Sequence, residues 1–336
     1  MLKRAGVFLF IIVLLLAFSA CGGKRDGADT GAVTTDTAPS DTEETANVTA
    51  EAAGTEDTPD TEVISDEEFD VSLCRPIIID GKYVFNPFLL SCEAIDVYGE
   101  DFARFYYGFI KAYADYGTSC PCPSEEYAMM LDMVLQNECP FYAGNDIDYS
   151  WATNYDYEKN MIFWTFNVDR DTFDSRVRKV TEVMQGLMDL VGASDHEKKK
   201  TETLYHAFCP LMTYDHERAE SREKIDGCYV FTENRGICVS FAWAFSELMS
   251  QVGMYATTAS GETTDGEAHS WNYIRVDGNF YFFDPTFELN YKNGTAYVYY
   301  GMTLEERARE IKRETITAGH YSFEPPVTPE IHLNVG

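Results

Sequence analysis

The chain has 336 residues, with 26 Lys and Arg against 56 Asp and Glu, a formal charge of −30. That balance argues against holding phosphate backbones, which takes Lys and Arg, so no nucleic-acid partner is expected. It also argues against docking on an anionic membrane through a basic patch. The 22 Tyr and 22 Phe call for a globular body, since a disordered chain would not carry them.

Residues 1–21 have the form of an export signal. Lys3 and Arg4 precede an apolar run from Val7 to Ala20, shorter than the roughly 20 residues a spanning helix needs. Small Ser19 and Ala20 before Cys21 resemble the bacterial lipobox, with Phe18 where Leu is usual. The resemblance implies lipidation of Cys21 and an extracytoplasmic chain held to the membrane only by its N-terminal lipid. An ordinary signal peptide with an incidental cysteine is the alternative. Residues 22–70 then read as a disordered linker of Thr, Asp, Glu, Ala and Gly. Residues 24–70 alone hold fifteen acids and two bases, whose repulsion extends a segment too polar to bury itself.

Residues 71–193 are expected to be mainly helical. Phe102, Phe105, Phe109, Ala112, Tyr113 and Tyr116 recur at helical spacing between Gly99 and Gly117. A second helix starts after Pro123-Ser124, with Met129, Met130, Met133 and Val134 as its stripe. Residues 161–168 predict a strand. Val177, Val180, Met184, Leu187, Leu190 and Val191 make one apolar face of a third helix. Ser194 with Glu197 predicts a capping box opening a helix through Phe208, with Lys198, Lys199 and Lys200 on its solvated face.

The character changes after Asn234. Residues 236–254 predict a helix with Phe241, Phe245, Leu248 and Val252 on its apolar side. Strands are expected at Tyr255–Gly261, His269–Val276 and Phe280–Phe283, the last two joined by the hairpin dipeptide Asp277-Gly278. Thr303 and Glu306 suggest a capped helix over 304–313, and residues 324–336 form a tail. A helix on an antiparallel sheet makes the body α+β.

Nine cysteines are present, and outside the cytoplasm disulfides are permitted, with connectivity that sequence does not encode. Cys120-Pro121-Cys122 has one intervening residue and no second Cys or His pair nearby, so no metal is expected there. His196, His206 and His216 recur without ligand-spaced partners, and His320 and His332 stand alone; packed or solvated histidines suffice. No phosphate loop is present, and no cofactor is expected.

Cys238 falls in the first turn of the 236–254 helix. Unpaired N–H groups and the helix dipole there favour a thiolate and can serve a developing oxyanion. A thiolate nucleophile also needs a base that later acts as acid, for which His269 opens the next-but-one strand. An imidazole needs an orienting acceptor. Asp284 ends the following strand, and the turn at Asp277-Gly278 sets it beside His269, the two lying seven and eight residues from Asp277.

Gly236-Ile237-Cys238, the aromatic helix behind it, His269-Ser270-Trp271-Asn272 and Asp284-Pro285-Thr286 together resemble the transglutaminase-like superfamily, and Tyr214-Asp215 resembles the pair that often precedes its nucleophile. The likeness covers about residues 195–300. It implies a papain-like core over 194–323 with Cys238 as nucleophile, His269 as general base and acid, and Asp284 as orienter. The implied reaction is acyl transfer or hydrolysis at protein or peptide amides through a thioester. A second oxyanion donor is implied, for which Tyr214 and Trp271 are candidates. Two readings stay open. One is a thiol enzyme acting on protein or peptide, cell-wall-associated substrates included, in the manner of a transferase or a cysteine protease. The other is an inactive module of the same fold that binds polypeptide or glycan.

Overall fold

The protein is described, as a computed structural model, over residues 69–221, 227–289, 297–321 and 326–333. Cys21, the leader 1–21 and the acidic segment as far as residue 68 lie outside the described residues.

Among the described residues, five longer helices precede the sheet. The first, α1 (Glu100–Ala114), has Glu100 and Asp101 in its first turn and Lys111 in its last, charges that complement the helix dipole. Its Phe102, Phe105, Phe109, Ala112 and Tyr113 are buried as their spacing predicts. Tyr113 meets the rings of Phe141, Phe166 and Phe173 at 5.1 to 5.9 Å, an aromatic centre for this half. Helix α2 (Glu125–Glu138) starts on Ser124, whose hydroxyl accepts the Tyr127 N–H. Its buried face is Ala128, Leu131, Val134 and Leu135 rather than the predicted methionines, which flank that stripe half-exposed. Helix α3 (Arg170–Met188) is capped by Asp169 and buries Phe173, Val180, Met184, Leu187 and Met188. Leu190, expected on this face, lies beyond the helix and is exposed.

Three local expectations fail for tertiary reasons. The 161–168 strand breaks at buried Trp164, whose N–H donates to Thr118 O, and Met161–Phe163 and Thr165–Phe166 pair in different sheets. Helix α4 (Glu197–Phe208) has no capping box. His196 is its N-cap, and the Glu197 carboxylate instead accepts the Asp277 N–H at the hairpin turn, 2.6 Å away. Lys200 is not solvated but buried, its Nζ donating to Tyr83 OH at 2.6 Å and packing over that ring.

Helix α5 (Cys238–Gln251) is buried from Ser240 to its end, on polar and apolar sides alike. Its sequence explains how: Gln251 bonds both backbone groups of Asn86, at 2.9 and 2.8 Å, and so ties the helix to the N-terminal half. On the other side Asn272 donates to Ala242 O and Ser246 Oγ, at 2.7 and 2.8 Å. Asn272 belongs to an antiparallel sheet of β1 (Ala256–Glu262), β2 (Ala268–Val276), β3 (Asn279–Phe283) and β4 (Thr317–Ala318), in the order β3-β2-β1-β4. Asp277 and Gly278 both take positive φ, 51° and 82°, as a two-residue hairpin turn of this hand requires. The fold is α+β. One apolar cluster runs through α1 to α5 and the helix-side of the sheet, while Ala259, Trp271, Phe282, Ile311 and Ile316 form a second on the sheet's other face. The 304–313 helix reduces to Leu304–Arg307, with the Thr303–Glu306 capping box in place. Of the tail, Leu333 packs into the core and Val327 bonds Tyr273.

Candidate active site

The segment entering α5 is fixed from below. Thr213–Tyr214 pairs in parallel with Arg235–Gly236, placing Tyr214 beside Gly236, two residues before Cys238. Buried Asp215 holds this junction: its N–H donates to Gly236 O, and its carboxylate accepts from the Arg218 N–H and lies 3.2 Å from Arg235 Nη2. Gly236 admits no side chain, since a Cβ would lie 2.6 Å from Ser240 Oγ and 3.1 Å from Val230. Ser240 in turn accepts the Ile237 N–H at 2.8 Å and closes the first turn. Cys238 is therefore the first helical residue, half-buried and unpaired, where the helix N–H groups have no intrahelical partner.

His269 and Asp284 do meet, but not side by side. Phe283 faces Asn272 across the ladder, so Asp284 falls level with Trp271, two residues short of His269 along the strand. Residues two apart share a face, and the pair closes on the diagonal with Nε2 2.7 Å from Oδ2. Asp284 is N-cap of the turn Pro285–Glu288: its Oδ1 accepts the Phe287 N–H at 2.9 Å, and its own N–H donates to Tyr299 O. Burial opposes its charge, yet His269 and Arg307 hold the carboxyl below its ordinary range. Burial also opposes charge on His269, but Asp284 and a hydrogen bond with Cys238 outweigh it and lift the ring to about 9. An ionised carboxylate only accepts, so Nε2 carries the hydrogen and Nδ1 is left to exchange a proton with the thiol.

The two candidate oxyanion donors are placed differently. Tyr214 is half-buried along the entry strand, its ring 4.9 Å from that of His216. Trp271 is fully buried, 5.8 Å from the His269 ring, and its indole N–H has no hydrogen-bond partner among the described residues. Two neighbours escaped the sequence reading. Phe287 stacks on His269 at 4.2 Å, and buried Arg307 pairs with Asp284 Oδ2 at 3.1 Å. Asp284-Pro285 signalled the turn that carries Phe287, whereas an Arg in the last turn of a helix is too common to stand out.

Of the other histidines, His206 stacks on Tyr297, His320 bonds Thr258, and His332 lies 2.9 Å from Glu306. All eight described cysteines are unpaired. Among the described residues, no group of His, Cys, Asp and Glu is arranged to hold a metal.

Chemically, the site offers a sulfur nucleophile, a proton carrier with its acceptor, and free N–H groups at the head of α5. Residues 187–285, which contain Cys238, His269 and Asp284, match the family model described as Transglutaminase-like superfamily. No curated protein matches the chain. Similar solved structures include one described as a TGase, 18% identical with TM-score 0.28, covering 39% of this chain and 35% of that one. A second is "a putative cysteine protease" from Cytophaga hutchinsonii, 18% identical with TM-score 0.28, covering 36% and 43%. A third is "a putative protease" from Parabacteroides distasonis, 14% identical with TM-score 0.26, covering 40% and 30%. The chain thus spans less than half the length of each.

Proposed function

We propose that the transglutaminase-like segment 187–285 makes this chain a cysteine-dependent enzyme acting on protein or peptide amides. Cys238 attacks the amide carbonyl carbon as thiolate, and the carbonyl oxygen becomes an oxyanion facing the N–H groups at the head of α5. The carbon–nitrogen bond then breaks as His269 gives its proton to the leaving amine or ammonia, leaving a thioester on Cys238. An incoming amine or water, deprotonated by His269, attacks the thioester and returns the sulfur. Amine gives crosslinking; water gives deamidation or proteolysis. The observation that carries this reading is the buried His269–Asp284 contact of 2.7 Å, with the Cys238 sulfur near enough to the same ring to favour its charge.

The same proposal places the enzyme outside the cytoplasm, lipidated at Cys21 and lifted from the membrane by the acidic linker. It rests on the charged start, the apolar run and Ser19-Ala20-Cys21. Cys21→Ala should abolish labelled fatty-acid incorporation; incorporation that persists would refute the anchor.

The enzyme is tested by alkylating the full chain from pH 4 to 9 and mapping the modified peptides, with His269→Ala in parallel. Fast reaction of Cys238 below neutral pH, lost in the variant, is the expected result. Slow reaction that rises only near pH 8.5 and ignores His269 would favour the binding module instead.

A further inference from the structure

Arg307 lies within the site without belonging to its chemistry. It ends the short helix Leu304–Arg307 and is fully buried. Its Nη1 is 3.1 Å from Asp284 Oδ2, the same oxygen that His269 Nε2 approaches at 2.7 Å. The guanidinium carbon sits 4.8 Å from the Phe287 ring centre, 4.9 Å from that of Trp271 and 5.9 Å from that of Tyr299. Phe287 and Trp271 also flank the imidazole, at 4.2 and 5.8 Å. One stack of rings thus carries both cations.

A purely structural ion pair is a poor account of this arrangement. Arg307 Nε and Nη2 are buried without a hydrogen-bond partner among the described residues, which costs free energy that an apolar side chain of similar volume would avoid. What the guanidinium does, and an apolar residue would not, is place charge against the carboxylate that governs His269. Asp284 alone would hold the imidazolium so firmly that giving its proton to a leaving amine becomes harder.

Resting on the triad proposed above, we propose that Arg307 is a positioning residue that fixes Asp284 Oδ2 and offsets its charge, so that His269 can release its proton. Among the described residues, the charged and titratable groups around the ring are Cys238 on α5, Asp284 after β3 and Arg307, with Glu310 Oε2 3.7 Å beyond the guanidinium and Glu288 sensing the charge on Asp284. Arg307 Nη1 and His269 Nε2 share one oxygen, so they lie no more than about 6 Å apart, a range in which like charges shift a titration by a unit or more.

The test follows the imidazole in the full chain by 13C-histidine NMR, the His269 signal being identified by its loss in His269→Gln. Arg307→Met should raise the pH at which His269 titrates by about one unit or more, and Arg307→Lys should bring it back toward the parent value. An unchanged or lower titration in folded Arg307→Met overturns the proposal. Should that variant not fold, Arg307→Gln removes the charge but keeps an N–H for Asp284, and the absence of an upward shift there is equally decisive. The readout needs no substrate. An unreactive Cys238 would sink the enzyme while leaving this coupling measurable, and a missing coupling would leave the enzyme standing.

Discussion

Gly261 stands directly opposite His269 in the β1–β2 ladder, and the volume a side chain would take there is already filled. A Cβ at Gly261 would lie 2.8 Å from Ile311 and 3.1 Å from Trp271, both buried in the cluster beneath the triad. The backbone at this position is ordinary; the constraint is packing. Gly261→Ala is therefore expected to cost about 1–3 kcal/mol by overpacking and to displace Trp271 against the His269 ring. Thermal unfolding measures the first effect. Slower alkylation of Cys238 at neutral pH measures the second, and an unchanged rate would show that the ring is not held from this side.

Asp284→Asn separates charge from shape. The amide can still accept the Phe287 N–H, but His269 loses the anion that outweighs its burial, and the ring should titrate lower. Alkylation of Cys238 at pH 6 should fall about tenfold or more, since each unit of titration shift is a factor of ten. The variant also leaves Arg307 buried beside a neutral group, which is expected to cost about 3–5 kcal/mol. A variant as stable as the parent would mean that Glu310 suffices to hold the guanidinium.

Away from the triad, Glu138 accepts both the Ser91 N–H and its hydroxyl, at 2.8 Å each, and burial lifts its carboxyl to about 7. An acid raised above its unfolded value contributes stability below that unfolded value, about 4.5, and loses it as pH rises through about 7. Glu138→Gln can accept the Ser91 N–H on its amide oxygen and donate its NH2 to the Ser91 hydroxyl, without a titrating proton. It should leave stability near pH 4 unchanged and raise it at pH 8 by up to about 3 kcal/mol. Denaturant melts at the two pH values check this, and equal gains at both would remove ionisation as the cause.

What could be read in the sequence was what local rules decide. The hairpin turn, the buried face of α5 and the order Cys238, His269, Asp284 come from periodicity and one dipeptide. The same reasoning put His269 and Asp284 on one face but directly opposite each other, because it counted from Asp277, whereas the two-residue turn sets Val276 opposite Asn279 and so Asp284 level with Trp271. The features that stayed hidden depend on partners far along the chain. Lys200 is buried because Tyr83 receives it, Glu197 gives up its capping box to Asp277, and the 161–168 strand divides because its two parts pair with Ser119–Pro121 and with Ile147–Asp148. Arg307 belongs to this class. Asp284, Trp271 and Phe287 all lie twenty or more residues before it in the chain.

His320 gives the opposite pH dependence from the same place as Glu138. Both line a cavity of about 20 Å³, room for one water, between α2, α5 and β1. His320 bonds Thr258 at 2.9 Å, and burial lowers its ring to about 4. A base depressed in this way contributes stability above its unfolded value, about 6.5, and loses it as pH falls toward 4, because the unfolded chain takes up the proton first. His320→Gln should therefore flatten the acid side of the stability profile, recovering up to about 3 kcal/mol near pH 4 with little change at pH 8. Glu138→Gln acts on the alkaline side only. The double variant should keep only the dependence that the other carboxyls lining the cavity add, chiefly Glu247, which burial also raises, and a non-additive remainder would measure how strongly Glu138 and His320 sense each other across it. Loss of stability at both ends in His320→Gln would instead assign the ring a packing role and no part in the titration.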